Sequence, residues 1–376
     1  MRSEETVGAL GESEVLRRIL ARLRPAEATR LGPGDDCAVL AFAGEAVVTS
    51  DMMIEGPDFR LAWHSGFELG WKLAATNLSD VAAMGARPTA LTAAVACPAD
   101  TPVSLLEVIA EGLDAACTAL APGCGVVGGD LSRAPVLTAA ITALGQLEGR
   151  PPIRRDGARP GDVVAYAGAL GLAGIGLSLL FAESADEGVA HDRGLLGLRD
   201  RHPAALRAQL APEPPIALGL TAADGGATAM LDVSDGLSID AARIARASGV
   251  SLDLDPEALA AGFGTQKGER VPLDAMLHGE RTTDCWPRSR RRRSCLPGSC
   301  RSARCANGWT TARRCCWAGS RASRAAGTPS PFGPRDRSES SRPPGSRAGS
   351  PGPARRYRSR ARSVPVLNGE GGRPAG

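Results

Sequence analysis

Aromatic residues make up 3% of this 376-residue chain, lysine occurs only at Lys72 and Lys267, and histidine occurs four times. The scarcity of lysine excludes a Walker-type phosphate loop, since no G-x-x-x-x-G-K-[ST] is present. The H-R-D-L and D-F-G elements of the protein kinases are missing too. Within the first 280 residues cysteine is confined to Cys37, Cys97, Cys117 and Cys124, none in a C-x-x-C pair and none grouped with histidine. That spacing speaks against a structural zinc site or a disulfide framework and points to a reducing compartment. The first twenty residues mix charges and lack the apolar segment of a signal peptide, so a cytoplasmic protein is expected. The longest charge-free run, Val163–Ala182, has the length of a membrane span, but Gly168, Gly171, Gly174 and Gly176 interrupt it. It reads as strand, glycine turn and buried helix, and no membrane partner is expected.

The net charge of +3 hides two unlike regions. Residues 281–376 hold 22 Arg, no Lys and four acids, a net of +18. Residues 1–280 hold 22 basic and 37 acidic groups, a net of −15. The Arg-rich tail, with Pro, Ser and Gly abundant and aliphatics scarce, has the composition of a disordered segment. Its six Cys follow no metal-site spacing, and the run around Arg288–Arg293 offers only nonspecific attraction for polyanions, so no specific nucleic-acid partner is expected.

Strand and helix patterns alternate through the first 280 residues. Strands are predicted at 46–50, 89–97, 125–129 and 136–147, and helices at 67–84 and 103–120. In the second of these helices Leu105, Leu106, Ile109, Leu113 and Ala116 share one face. Pro151–Pro152 followed by Arg-Arg-Asp-Gly marks a domain boundary. Beyond it the pattern predicts strand 162–167, helix 171–182, a polar connection at 183–202, helical 203–222, strand 228–233, helix 237–247 and strand 250–255. The expectation is two α/β domains, 1–150 and 151–280, with the site between them.

Chemistry is concentrated in acidic residues placed at turns and element ends. They are Gly34-Asp35-Asp36, Thr49-Ser50-Asp51 ending a strand, Asn77-Leu78-Ser79-Asp80 in a helix, Gly128-Gly129-Asp130, and Asp232-Val233-Ser234-Asp235-Gly236 opening a helix. Singly, each fits a turn or a helix cap. Together, converging carboxylates repel unless a hard divalent cation such as Mg²⁺ binds them, and glycines let backbone N–H groups approach phosphate. A metal–nucleotide site follows, in which phosphoryl transfer rests on carboxylate-held Mg²⁺ and positioning.

The segments GPGDDCAVL, VVTSDMMIEG, WKLAATNLSDVAAMGARP, VVGGDLSRAP, RRDGARPGD and LDVSDGLSIDAARIARASGV, in this order, closely resemble the thiamine-monophosphate kinase family. Its superfamily also contains aminoimidazole ribonucleotide synthetase, selenophosphate synthetase and a hydrogenase maturation protein. The resemblance covers about residues 8–280. It implies an α/β (α+β), two-domain fold of the aminoimidazole ribonucleotide synthetase type. It also implies a homodimer that pairs the N-terminal sheets, and ATP-dependent conversion of thiamine monophosphate to the diphosphate by direct in-line transfer with several Mg²⁺ ions. Matched position by position, Asp36, Thr49, Ser50, Asp51, Asp80, Asp130, Asp232 and Asp235 correspond to metal-binding residues. Gly129, Arg155 and Ser234 correspond to ATP contacts, a cation at Arg155 suiting a polyphosphate.

Two departures bear on this reading. Where the family has E-G-x-H-F, with the His near substrate, this chain has Glu55-Gly56-Pro57-Asp58-Phe59; Asp58 is the substrate-side candidate, with substrate binding expected to weaken. The family's G-G-E-D-[YH]-x-L begins as Leu277-His278-Gly279-Glu280, making Glu280 the second substrate candidate, and then gives way to RTTDCWPRSRRRRSCLP. Regrouping GC-rich codons by one base restores E-D-H-x-L at this point, so a one-base slip near codon 280 is the expectation, with activity impaired by the altered C-terminus. Two alternatives stand beside the kinase: another ATP-dependent activity of the superfamily, and a non-catalytic remnant that only dimerises.

Overall fold

The computed structural model describes residues 5–279. The N-terminal elements are α1 (Val7–Leu10), α2 (Glu12–Leu20), β1 (Thr29–Leu31), β2 (Val39–Leu40), β3 (Ala46–Ile54), α3 (Gly66–Ala83), β4 (Arg87–Cys97), α4 (Val103–Leu120), β5 (Gly125–Arg133) and β6 (Thr138–Gln146). After a stretch without helix or strand come α5 (Leu172–Glu183), β7 (Ala185–Asp186), β8 (Val189–Ala190), α6 (Leu195–Arg201), α7 (Pro203–Leu210) and α8 (Ala217–Asp224). The last elements are α9 (Leu237–Ser248), α10 (Pro256–Phe263), β9 (Thr265–Gln266), β10 (Glu269–Arg270) and α11 (Leu273–His278).

The mixed α/β fold is organised on a four-stranded sheet of order β3-β6-β4-β5. β6 runs antiparallel to both neighbours, while β4 and β5 are parallel and joined by α4, a βαβ crossover. One sheet face is covered. Leu69, Leu73, Leu78 and Val81 of α3 and Leu106, Ile109 and Leu113 of α4 form a buried core with Leu91, Ile141 and Ala143 of the strands. The opposite face leaves Val48 and Met52 exposed.

Two glycines set how closely α3 and α4 cross. A Cβ on Gly70 would lie 2.0 Å from the Ile109 carbonyl oxygen, and one on Gly112 would lie 2.1 Å from that of Phe67. Each helix therefore presents bare backbone to the other, which a side chain at either site would prevent. The start of α3 is fixed by a capping box: Glu68 N–H donates to Ser65 Oγ, while the Glu68 carboxylate accepts from the Ser65 amide.

Strand 46–50 extends to Ile54, so Thr49-Ser50-Asp51 lie within a strand rather than at its end; Gly128-Gly129-Asp130 likewise lie inside β5. Neighbouring strands pair beyond the apolar runs, and that pairing carries both elements through their polar residues. The helical pattern at 203–222 is broken into α7 and α8, because Pro212, Pro214 and Pro215 remove amide donors between them.

The largest correction concerns the second half. Segments 162–167, 228–233 and 250–255 form no strand, and the only ladders described there are the two-residue hairpins β7–β8 and β9–β10. The alternation behind the expectation is real: Val164 and Tyr166 are partly buried while Val163 and Ala165 are exposed, and Leu252 and Leu254 alternate with Ser251 and Asp253. Alternation assigns faces, but a strand also needs a partner for its backbone groups, and no described segment supplies one. This half is instead held by helix packing: Leu170, Leu172, Leu237, Val271 and Met276 form one cluster, and Trp63, Leu177, Leu180, Leu198 and Leu206 another.

Among the described residues no helix is long and apolar enough to cross a membrane. The four cysteines within them are free thiols. The expectations for Glu280 and for the tail at 281–376 lie outside the described residues.

Candidate functional site

Strand β3 and helix α3 bring the first group of candidates together. The Thr49 hydroxyl donates to Asp80 Oδ2 at 3.0 Å, and the Asp51 amide donates to Asn77 Oδ1 at 3.2 Å. Thr49 and Asp51, two apart on a strand, share the helix-covered face; Asn77 and Asp80, three apart on a helix, share the face that meets it.

Asp232, in the loop before α9, completes this group. Burial is the main reason its carboxyl is pushed up to about 6, and the negative charges of Asp80, Asp240 and Asp51 push the same way. The Asp80 carboxyl is also raised: burial leads, the Thr49 hydrogen bond opposes it, Asp51 adds to it, and Arg155 opposes it. Three carboxylates thus lie within electrostatic reach of one another, with Arg155 the cation acting on Asp80. The Arg155 loop is tied down through its backbone, Ser248 Oγ donating to Arg155 O at 3.0 Å and accepting from Ala158 N–H at 3.1 Å.

The remaining candidates lie apart from this centre. Asp130 belongs to the cross-strand row Met52–Ala140–Ala94–Asp130, and Asp51 to the row Asp51–Ile141–Ala93–Gly129. Adjacent rows point to opposite faces, so Asp130 comes off the open face, away from Asp51 and Asp80. Its Oδ2 accepts from Ser132 Oγ at 2.9 Å. Ser50 is on the open face as well, its Oγ donating to Ile141 O at 3.1 Å and lying 3.1 Å from Thr142 Oγ1. Asp36 is exposed in the turn between β1 and β2, where its amide is held by Asp35 Oδ1 at 2.8 Å. Asp235 is ion-paired with Arg243.

Gly129 has a structural reason to be glycine: a Cβ would lie 1.9 Å from the Ala93 carbonyl oxygen of β4, while Gly128 opens onto free space. Asp58, the substrate-side candidate, has a local task, its Oδ2 accepting the Ile54 amide at 2.8 Å and closing the turn after β3.

Asp240 was given no role by sequence. It is 1% exposed, and its Oδ2 accepts the amides of both Ser234 and Asp235, at 3.0 and 2.9 Å. Its Oδ1 accepts from Arg243 at 2.5 Å. One buried carboxylate therefore shapes the loop that carries Asp232, Ser234 and Asp235. An acid in the first turn of α9 is a readable signal, but a generic one.

Among the described residues no three His, Cys, Asp or Glu side chains already form a cage for an ion. The donor set suits Mg²⁺ nonetheless. That ion takes one or two carboxylates and fills its remaining positions with water and substrate phosphates. Asp80 and Asp232, partly buried and raised first by burial and then by neighbouring carboxylates, are groups that a divalent cation would neutralise.

Comparison with known proteins bears on the whole arrangement. The profile described as AIR synthase related protein, N-terminal domain, matches residues 34–147, and its C-terminal counterpart matches residues 159–281. A thiamine-monophosphate kinase of Mycobacterium tuberculosis is 39% identical over 283 residues, 75% of this chain and 78% of the relative. The crystal structure of thiamine-monophosphate kinase from Stenotrophomonas maltophilia K279a superposes with a TM-score of 0.56 at 33% identity, covering 71% of this chain and 81% of that one. A structure described as AaThiL complexed with AMPPCP and TMP matches with a TM-score of 0.50 at 26% identity, over 74% of this chain and 83% of the other.

Proposed function

The chain belongs to the thiamine-monophosphate kinase family, and on that premise we propose that it transfers the γ-phosphoryl group of ATP to the phosphate of thiamine monophosphate, yielding thiamine diphosphate and ADP. The observation that carries this reading is the joining of β3 to α3 through the Thr49–Asp80 and Asp51–Asn77 hydrogen bonds, which leaves Asp51, Asp80 and Asp232 within electrostatic reach of one another and Arg155 acting on Asp80. A relative solved with a non-hydrolysable nucleotide and TMP supports both substrates.

Asp51, Asp80 and Asp232, with the Thr49 hydroxyl, would hold Mg²⁺, which would supply neutralisation of the polyphosphate's negative charge. The chain's own residues hold the two phosphate groups in line. Arg155 offers a planar cation to the polyphosphate, and the Asp240-anchored loop presents Ser234 to it. Asp36 and Asp235 are exposed, and we assign them to further cation contacts along the nucleotide, whereas Ser50 and Asp130 come off the open face and are given no part in that centre. The nucleophile is a phosphate oxygen already ionised at neutral pH, so the rate enhancement rests on positioning and charge.

The protein is proposed to act as a homodimer through the open face of the β3-β6-β4-β5 sheet, where Val48 and Met52 stand in water in the single chain. The N-terminal domain, 1–150, carries that face and most of the metal site; the C-terminal domain, 151–280, contributes Arg155 and the Asp232–Asp235 loop. The match to the C-terminal domain profile ends at residue 281, where the Arg-rich sequence begins. Turnover is therefore proposed to be lower than in a chain with the frame restored, and resequencing the locus tests the frame itself.

The test is to incubate the full chain with ATP, Mg²⁺ and thiamine monophosphate and to follow thiamine diphosphate by chromatography. A panel that includes formylglycinamidine ribonucleotide distinguishes the kinase from a synthetase of the same superfamily. Saturable Mg-ATP binding with no product from any substrate would overturn the catalytic reading.

A further inference from the structure

Asn77 is fully buried on α3, and both ends of its amide are engaged. Nδ2 donates to Leu73 O at 2.9 Å, one helical turn back, while Oδ1 accepts the Asp51 amide at 3.2 Å. The first bond fixes the rotation of the side-chain amide, leaving its oxygen aimed at the strand. Among the described residues β3 pairs with β6 alone, so alternate amides on its outer side have no ladder partner there, and the one at Asp51 is taken by the helix.

Three residues on, Asp80 Oδ2 receives the Thr49 hydroxyl at 3.0 Å. The helix pair 77 and 80 thus meets the strand pair 51 and 49 in matched spacing. Packing alone would be served by leucine, which has the same branching and the same number of side-chain heavy atoms. The hydrogen-bonding amide instead fixes where the backbone at 51 sits along the helix.

We infer that Asn77 is a positioning residue that sets the separation of the Asp51 and Asp80 carboxylates. This rests on the proposed reading that those two acids hold a divalent cation. Mg²⁺ and Mn²⁺ demand near-octahedral geometry, whereas Ca²⁺ accepts a looser and larger shell. A displaced ligand should therefore penalise the smaller ions selectively.

The experiment titrates Mn²⁺ into the nucleotide-free full chain by electron paramagnetic resonance, with Ca²⁺ affinity measured by competition, in wild type, Asn77→Leu, Asn77→Ala and Asp51→Asn. Both Asn77 variants are expected to weaken Mn²⁺ binding by about tenfold or more, the scale of outer-shell substitutions at metal sites, while Ca²⁺ affinity changes less than about threefold. Equal losses for both ions, or unchanged Mn²⁺ affinity beside a wild type that binds, would overturn the inference. No saturable Mn²⁺ binding in wild type, with Asp51→Asn indistinguishable from it, would overturn the metal site and the inference together. Hydrogen exchange of the wild-type Asp51 amide needs no variant: protection like that of the paired β3 amides is expected, and exchange at the rate of an open edge would contradict the inference.

Discussion

Thr49 and Asp80, thirty-one residues apart, share a hydrogen bond of 3.0 Å that joins strand β3 to helix α3. Through it a strand edge and a helix set Asp51 and Asp80 on facing elements, and both carboxylates act electrostatically on Asp232 in the loop before α9. The arrangement is electrostatically unfavourable in the metal-free protein, and several consequences can be measured.

The Asp232 carboxyl is raised from 3.8 to about 6, chiefly by burial. Below pH 3.8 the acid is neutral folded and unfolded; as pH rises to about 6 the unfolded chain releases the proton first, and stability falls. Above about 6 the full penalty remains, on the order of 3 kcal/mol at about 1.4 kcal/mol per unit. Asp232→Asn should stabilise the protein in chelator by about 1–3 kcal/mol at pH 7.5 and give no gain at pH 3.5, while abolishing phosphoryl transfer. Urea titrations at the two pH values test this; an equal gain at both would contradict it.

His64 is 6% exposed, with Nδ1 at 3.2 Å from Arg60 O and Nε2 without a partner. Burial first, then the Lys72 charge, lowers its pKa from 6.5 to about 3. The ring stays neutral in the folded protein while the unfolded chain takes up a proton, so stability is lost as pH falls from 6.5 towards 3. Between pH 7 and pH 5 the loss is about 2 kcal/mol. His64→Phe should remove that part of the slope, seen as a stability difference between variant and wild type that shifts by this amount across the interval.

Asp240→Ala would leave the amides of Ser234 and Asp235 and the Arg243 guanidinium without their shared acceptor. A cost of about 3 kcal/mol is expected, as for breaking a buried charged network. The two amides should exchange with solvent at least tenfold faster, and nucleotide affinity should fall with them. Intact protection of both amides in the variant would show that the carboxylate does not shape the loop.

Alanine in a helix normally improves on glycine by about 0.5–1 kcal/mol. At Gly70 the sign should reverse, because the new Cβ would meet the Ile109 carbonyl oxygen at 2.0 Å and force α3 and α4 apart. A loss of about 1–3 kcal/mol or more is expected. Gly197→Ala in α6, where the nearest atom is the flexible Arg201 Nη1 at 3.4 Å, serves as the control and should be neutral or stabilising. Thermal unfolding of the two variants decides the point.

The sheet and its two covering helices were legible because period and apolar character agree there: α4 spans 103–120 as its spacing predicts. The acidic motifs were legible as a set, but their grouping in space was not. Asp130 illustrates why. Leu91 pairs with Val126 and Thr92 with Gly128, so Val127 is an extra residue in β5. A one-residue bulge turns every later side chain to the other face, and it carries Asp130 away from Asp51. Nothing in G-V-V-G-G-D announces that slip. The close approach of α3 and α4 at Gly70 and Gly112 was equally hidden, since a glycine in a helical pattern does not say which backbone it meets. Val163–Tyr166 failed for a different reason: its alternation predicted faces, and pairing depends on residues far away in sequence.

The most direct measurement is thiamine diphosphate formation by the full chain with ATP and thiamine monophosphate, run with Mg²⁺, with chelator, and with Asp80→Asn in place of wild type. Product that requires Mg²⁺ and falls by at least a hundredfold in the variant is the predicted result. Product formed equally in chelator, or undiminished in Asp80→Asn, would contradict the account.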